Sequence, residues 1–318
     1  MKRILAIDGG GIKGVFPAAF LASLEETLNE RVVNYFDLIA GTSTGGIIAL
    51  GLGLGFSAQE ILSFYTEYGP QIFPTGGWRQ GFRREMRQIF TSKHDSNKLR
   101  RALDNTFGSR RLGESSTRLL IPTLNIETGE AYIYKTAHHE RFMYDYLQTA
   151  VEVALATSAA PTFLSTHRSA GGTPFIDGGL YANNPTGIAV VEAIGVLDWP
   201  KEDIFVLSLS CTSAPLANKQ LRKPKRGAVH WAASLADVFL VSQSHASMGT
   251  AHMLIGHDHV DRICPIMEWG RFAMDNAGEI DALAGLGRAE ARKACPALKQ
   301  RYFDEPAENF NPYRHLPN

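Results

Sequence analysis

The chain is poor in cysteine. Cys211, Cys264 and Cys295 are its only 3, an odd number at wide spacings. That argues against a disulfide framework and a CxxC metal site, and it fits reduced thiols in a cytoplasmic protein. Net charge is lacking too: 32 Lys+Arg against 32 Asp+Glu leave a formal balance of +0. A chain built to coat DNA or RNA would be strongly basic. An acidic disordered chain would hold less than the 44% hydrophobic residues present here. There is no internal repeat and no low-complexity tract. The opening MKRILAIDGGG offers about five apolar residues before Asp8, too few for a signal-peptide core. Long apolar runs are scarce as well. Residues 38–58 carry no charge, and 21 residues could span a bilayer, but Thr42, Ser43, Thr44, Ser57 and six glycines sit among them. A buried strand, a turn and a helix account for that composition better.

What is present is an alternation of short apolar runs and helix-like stretches. Arg3–Ile7, Phe36–Ala40, Arg118–Ile126, Ala131–Lys135, Pro174–Asp177, Ile204–Ser210 and Val260–Ile263 read as strands. Helices are expected over about 15–30, after Gly45, from Ser57 with Glu60 completing a capping box, over 148–158, from Asn184-Pro185, over about 229–252 and over about 279–294. Strands alternating with helices imply an α/β sandwich with a mostly parallel sheet. No linker divides it. One domain is expected over 1–300, followed by an irregular Pro/Asn-rich tail at 301–318. A basic segment at 79–111 has ten Lys or Arg and three acids, a local charge of +7. A second basic cluster, Lys219, Arg222, Lys223, Lys225 and Arg226, contains no acid.

Three glycine-rich turns follow strands. Gly9-Gly10-Gly11-Ile12-Lys13-Gly14 has the GxGxxG spacing of a dinucleotide loop. That use needs an acid at the end of the second strand, and Leu38-Ile39-Ala40-Gly41 has none. The same backbone can instead gather N–H groups around a phosphate or an oxyanion, or simply make a tight turn braced by Asp8 and Lys13. Gly41-Thr42-Ser43-Thr44-Gly45 is a GxSxG turn between a strand and a helix, the setting that projects a nucleophilic serine. A serine needs a base. None of the ten histidines stands out by its surroundings. His252, His257, Asp258, His259 and Asp261 cluster in sequence but lack clean metal-ligand spacing. Asp177, before Gly178 and Gly179, is the other candidate base, placed at the carboxyl edge of a sheet.

Together, DGGGIKG at 8–14, GTSTG at 41–45 and DGG at 177–179 resemble the patatin-like phospholipase family in order and spacing. ATSAAPTFL at 156–164 and Asn183-Asn184-Pro185 add to the likeness. Lys13 departs from it, because the family's loop more often carries arginine there. The resemblance implies a three-layer sandwich with a mostly parallel central sheet. It implies a Ser–Asp dyad, with Ser43 as nucleophile and Asp177 as general base. Amides of Gly9, Gly10 and Gly11 would form the oxyanion hole, supported by the motif residues Asp8, Lys13, Gly14, Gly41, Gly45, Gly178 and Gly179. No metal or cofactor is implied.

Within the family, DGGGIKGVFPAAFL and FDLIAGTSTGGIIALGLGLG resemble the phospholipase effectors of cyclic-oligonucleotide anti-phage defence. That implies a cyclic dinucleotide activator, a phospholipid membrane as substrate, no nucleic-acid partner, and cytoplasmic residence with peripheral action on the inner membrane. Homo-oligomerisation stays open. So do an unregulated esterase or thioesterase on the same dyad and a nucleotide-binding regulator using the glycine loop. The basic segments could meet an anionic bilayer, hold nucleotide phosphates or face solvent.

Overall fold

The computed structural model describes residues 1–74, 94–213, 235–268 and 270–317. Trp78, beside the first basic segment, Arg79, Phe82, Arg83, Arg84, Arg87 and Lys93 within it, and the whole 219–226 cluster lie outside the described residues.

Eight strands form one sheet: β1 (Lys2–Ile7), β2 (Leu38–Gly41), β3 (Arg118–Asn125), β4 (Glu130–Lys135), β5 (His167–Arg168), β6 (Pro174–Asp177), β7 (Ile204–Leu209) and β8 (Val260–Ile263). The pairings run β5-β6-β3-β2-β1-β7-β8, with β2 and β6 on one edge of β3 and β4 on the other. β3, β2, β1, β7 and β8 run parallel, whereas β4, β5 and β6 join by antiparallel pairings.

The side-chain period of two sorts the central strand between two cores. Leu5 and Ile7 of β1 enter one core, and Ile4 and Ala6 enter the other. The described helices are α1 (Val15–Leu28), α2 (Thr44–Gly53), α3 (Ala58–Ile72), α4 (Ser96–Phe107), α5 (Ala150–Ser158), α6 (Gly179–Ala182), α7 (Thr186–Gly195), α8 (Leu235–Ile255) and α9 (Ile280–Tyr302). The larger core takes α1 to α5 and α9; the smaller takes α7 and the last turn of α8. α1 is buried without interruption from Val15 to Leu24, so it is a central helix with no solvent face over that span. Each large apolar side chain buried there stabilises the fold by about 1.5–3 kcal/mol.

The strand-turn-helix expected for the uncharged run is what forms, as β2, Ser43 and α2. Among the described residues, no helix is long and apolar enough to cross a membrane. Ser57 accepts from the Glu60 N–H at 3.1 Å, and Glu60 accepts from the Ser57 N–H at 2.7 Å, completing the capping box.

Two elements differ from expectation. About a third of the basic segment, 12 residues, is helix α4, capped by Asp95, with Leu99, Ala102, Leu103 and Phe107 on its buried face. Its charges lie on the outer face, and Arg100 pairs with Glu152 at 2.9 Å. Charge alone hid that amphipathic spacing. The last helix continues past Pro296 to Tyr302, because Leu298 and Tyr302 are buried and the Tyr302 hydroxyl bonds the Val206 carbonyl of β7. The chain after Phe303 forms no helix or strand, but it is tied down: Ala307 N–H bonds the Asn34 carbonyl and Tyr313 N–H that of Ala137, both at 2.7 Å.

Candidate active site

The site forms where two strands meet end to end along β3. Ala40 of β2 is in register with Leu120, which also faces Lys135 of β4. β2 and β4 therefore use opposite edges of β3. Thr123 faces Tyr132 of β4 and Asp177 of β6, so β6 lies on the β2 edge, farther along. Pro122 stands at the changeover, where a strand without an N–H costs no ladder bond. β6 runs towards β2, and its last residue arrives at the turn that β2 opens. The carboxyl edge expected for Asp177 is thus reached by an antiparallel strand coming from the other direction.

Ser43 occupies that turn at φ 56 and ψ −120, a conformation that few non-glycine residues adopt. A Cβ at Gly41 would sit 2.1 Å from the Gly45 carbonyl oxygen, and one at Gly45 2.2 Å from that of Ile7. Both glycines are thus required for the turn to close. The Ser43 N–H donates to Thr157 Oγ1 at 2.9 Å, and Thr157 in turn donates to the Pro122 carbonyl at 2.6 Å. Behind Ser43, the Tyr65 hydroxyl donates to the Thr44 carbonyl at 2.9 Å and lies 2.6 Å from Thr44 Oγ1. Neither Thr157 nor Tyr65 stands out as a functional residue in the sequence; only the ATSAAPTFL stretch points towards Thr157.

Asp177 is 5% exposed. The Ser43 side chain is near enough to its carboxylate to favour the charged form. The Gly179 N–H donates to Oδ1 at 2.7 Å. Burial raises its pKa to about 6, against the pull of those two groups. Gly178 lets the strand end pass Pro122, whose carbonyl oxygen would lie 2.4 Å from any Cβ there.

The glycine loop closes the site from β1. Gly10 and Gly11 line one cavity with Ser43 and Asp177. Gly9 is engaged elsewhere. Its N–H donates to the Asn183 carbonyl at 2.9 Å, while Asn183 Nδ2 reaches the Gly9 carbonyl at 3.3 Å. Of the three loop glycines, Gly10 and Gly11 line the cavity beside Ser43 and Gly9 does not. The sequence offers Lys13 as the brace for Asp8, but the partner is Arg262. Its Nη1 bonds Asp8 Oδ1 at 2.8 Å and its Nη2 bonds Oδ2, and Nη1 also reaches Ser208 Oγ at 2.7 Å. Arg262 lies 254 residues away in sequence, and no local pattern announces it. The Cys211 thiol donates to the Asp8 carbonyl at 3.3 Å.

The cavity holds about 500 Å³, the size of a small-molecule site. Apart from the dyad region its walls are mainly apolar, with Ile12, Ile47, Phe64, Ile72, Phe163 and Leu164 among them. Leu180 and Phe239, 53% and 58% exposed, also line it and mark its mouth. The histidine-rich stretch is elsewhere and dispersed. His252 stacks on His257, His259 bonds the Ile204 carbonyl, and Asp261 pairs with Arg301. Among the described residues no group of His, Cys, Asp or Glu is arranged to hold a metal ion.

Comparison with known proteins agrees with this architecture. A family model described as patatin-like phospholipase matches residues 5–190. A cGAMP-activated phospholipase of Pseudomonas aeruginosa is 32% identical over 327 residues, covering 99% of this chain and 97% of that protein. Another protein of the same name, from Vibrio cholerae, is 38% identical over 65% of this chain and 63% of its own length. Patatin-like protein 2 of Arabidopsis thaliana is 34% identical over 64% of this chain and 56% of that protein. With a family model spanning more than half of its residues and a relative aligned from end to end, the chain belongs to the patatin-like phospholipase family.

Proposed function

We propose that this chain hydrolyses acyl esters of membrane phospholipids with a Ser43–Asp177 dyad, and that a cyclic dinucleotide switches the activity on. The observation that carries the chemistry is the contact between Ser43, held in a left-handed turn, and a buried aspartate whose pKa lies near 6. A base is most useful when its proton affinity approaches the working pH. Asp177 takes the Ser43 proton as Oγ attacks the ester carbonyl carbon. The Gly10 and Gly11 amides receive the oxyanion. The leaving alcohol takes the proton from Asp177, which leaves an acyl group on Ser43 Oγ. Water then attacks with Asp177 again as base, the bond to Oγ breaks, and free fatty acid leaves. The apolar cavity suits the acyl chain, and Leu180 and Phe239 at its mouth suit a lipid surface. No metal or cofactor enters these steps.

Activation rests on the relatives named cGAMP-activated phospholipase in Pseudomonas aeruginosa and Vibrio cholerae. It fits a cytoplasmic enzyme acting peripherally on the inner membrane, as an effector of anti-phage defence. The test is fatty acid release from mixed phospholipid vesicles by wild type and Ser43→Ala, with and without a panel of cyclic dinucleotides. Release that needs both Ser43 and one nucleotide is expected. Ser43-dependent release that ignores every nucleotide would leave an unregulated lipid esterase. Nucleotide binding without any release would leave a regulatory protein.

A further inference from the structure

The buried hydroxyl of Ser158 has no role in the steps above. Ser158 is 6% exposed, and its Oγ has no hydrogen-bond partner among the described residues. It ends α5, where a serine hydroxyl commonly folds back onto a helix carbonyl; here it does not. A buried hydroxyl left unpaired destabilises the fold, and the residue that bears it lines the same cavity as Ser43 and Asp177.

Its neighbours in sequence fix its place in the site. Thr157, one residue before, receives the Ser43 N–H at 2.9 Å. Ala159, one residue after, receives the Asp177 N–H at 3.1 Å. Ser158 is therefore carried on a backbone fastened to the nucleophile on one side and to the base on the other. Of the cavity residues that follow it, Ala160, Pro161, Phe163 and Leu164 offer no side-chain polar atom, and the Thr162 hydroxyl belongs to an exposed residue. A polar guest on that side has one buried side-chain hydroxyl to meet, one residue away from the contacts that hold Ser43 and Asp177.

We propose that Ser158 binds the water that hydrolyses the acyl-enzyme, an inference that rests on the dyad reading above. The water gives one proton to Asp177. Ser158 Oγ accepts its other O–H, which leaves an oxygen lone pair directed at the acyl carbon. The new carbon–oxygen bond forms, the bond to Ser43 Oγ breaks, and Asp177 returns its proton to Ser43. In the acylation half the attacking oxygen is Ser43 itself, already held by Thr157 and Asp177, so Ser158 is not needed there. The hydroxyl thus separates two steps that otherwise share every group.

The test follows p-nitrophenol release from a p-nitrophenyl fatty acyl ester, with cGAMP present and absent. The chains are wild type, Ser158→Ala, Ser158→Thr and Ser43→Ala, all assayed by stopped flow and intact mass. In Ser158→Ala the first turnover stays within about twofold of wild type, while steady-state turnover falls about tenfold or more. The variant then accumulates a covalent acyl adduct, and added hydroxylamine, an acceptor stronger than water, clears it. Ser158→Thr keeps the hydroxyl and most of the turnover. Thermal stability of Ser158→Ala matches or exceeds wild type, because an unpaired buried hydroxyl is removed. Equal loss of both phases, or unchanged turnover beside a Ser43-dependent wild type, would overturn the proposal alone. A wild type no faster than Ser43→Ala would overturn the dyad reading and the proposal with it.

Discussion

Two strand ends in this molecule look alike and behave differently. β1 ends at Asp8 before Gly9-Gly10-Gly11, and β6 ends at Asp177 before Gly178-Gly179. Both aspartates are buried, at 4% and 5% exposure. Asp8 is gripped by both terminal nitrogens of Arg262. Among the described residues Asp177 has the Gly179 amide as donor and the Ser43 side chain close by, and no cation. Burial pushes both carboxyls up, but only at Asp8 does a cation stand against it. An arginine in a forked pair does not lose its proton, so Asp8 is committed to that bond. Asp177 has no such commitment and can take up and give back a proton. A neighbouring guanidinium thus separates a brace from the proposed base, and the aspartate-glycine sequence is silent on it.

The sharpest way to break that contrast is to disarm the Asp177 end. Ser43→Ala should lower fatty acid release by about 10³-fold or more, with Asp177→Asn close behind. Retained hydrolysis in either variant would show that the two strand ends are equivalent after all. At the other end, Arg262→Met leaves Asp8 buried without its cation. Breaking a buried pair in this way costs about 3–5 kcal/mol, so a large drop in urea midpoint is expected. A stable Arg262→Met chain would mean that Asp8 needs no partner.

Acidity sharpens the comparison further. The folded state holds the Asp177 proton up to about pH 6, whereas an unfolded aspartate releases it near its ordinary value of 3.8. Stability therefore falls as pH rises between those values, and the full cost stands above pH 6. Asp177→Asn removes that cost. It should stabilise the chain by about 2–3 kcal/mol at pH 7, a gain that fades towards pH 4. Hydrolysis by wild type should rise with pH through about 6, where the base loses its proton. A flat profile from pH 5 to 8 would contradict that assignment. The smallest effect is expected at Tyr65, whose hydroxyl steadies Thr44 behind the nucleophile. Tyr65→Phe should cost about 1–2 kcal/mol of stability, with a several-fold loss of turnover; a larger loss in turnover than in stability would place Tyr65 nearer the chemistry.

How much of this was legible followed from how local each feature is. The strand-turn-helix around Ser43, the capping box at Ser57 and the strand ending at Asp177 rest on neighbouring residues, and the sequence carries them openly. The helix within the basic segment was equally local, but its charges drew attention from Leu99, Ala102, Leu103 and Phe107. The Asp8–Arg262 pair and the reversed direction of β6 were not legible at all. Both depend on which strand lies beside which, and alternating apolar runs do not encode neighbours. Gly9 shows the same limit within a single motif. Three adjacent glycines offer three similar amides, and only the position of Asn183 reveals that one is already engaged.

The end-to-end meeting of β2 and β6 also sets a timetable. The proposed nucleophile and base come from opposite directions onto one edge of β3, and the proposed base is residue 177 of 318. A ribosome that has released the serine turn has made no catalyst. The dyad waits for the chain past Asp177, and the brace on the glycine loop waits for Arg262. Synthesis proceeds from the amino terminus, so fragments left by stalled translation carry the nucleophile without its partner. For a protein aimed at lipid, that order keeps incomplete copies harmless to the cell that makes them.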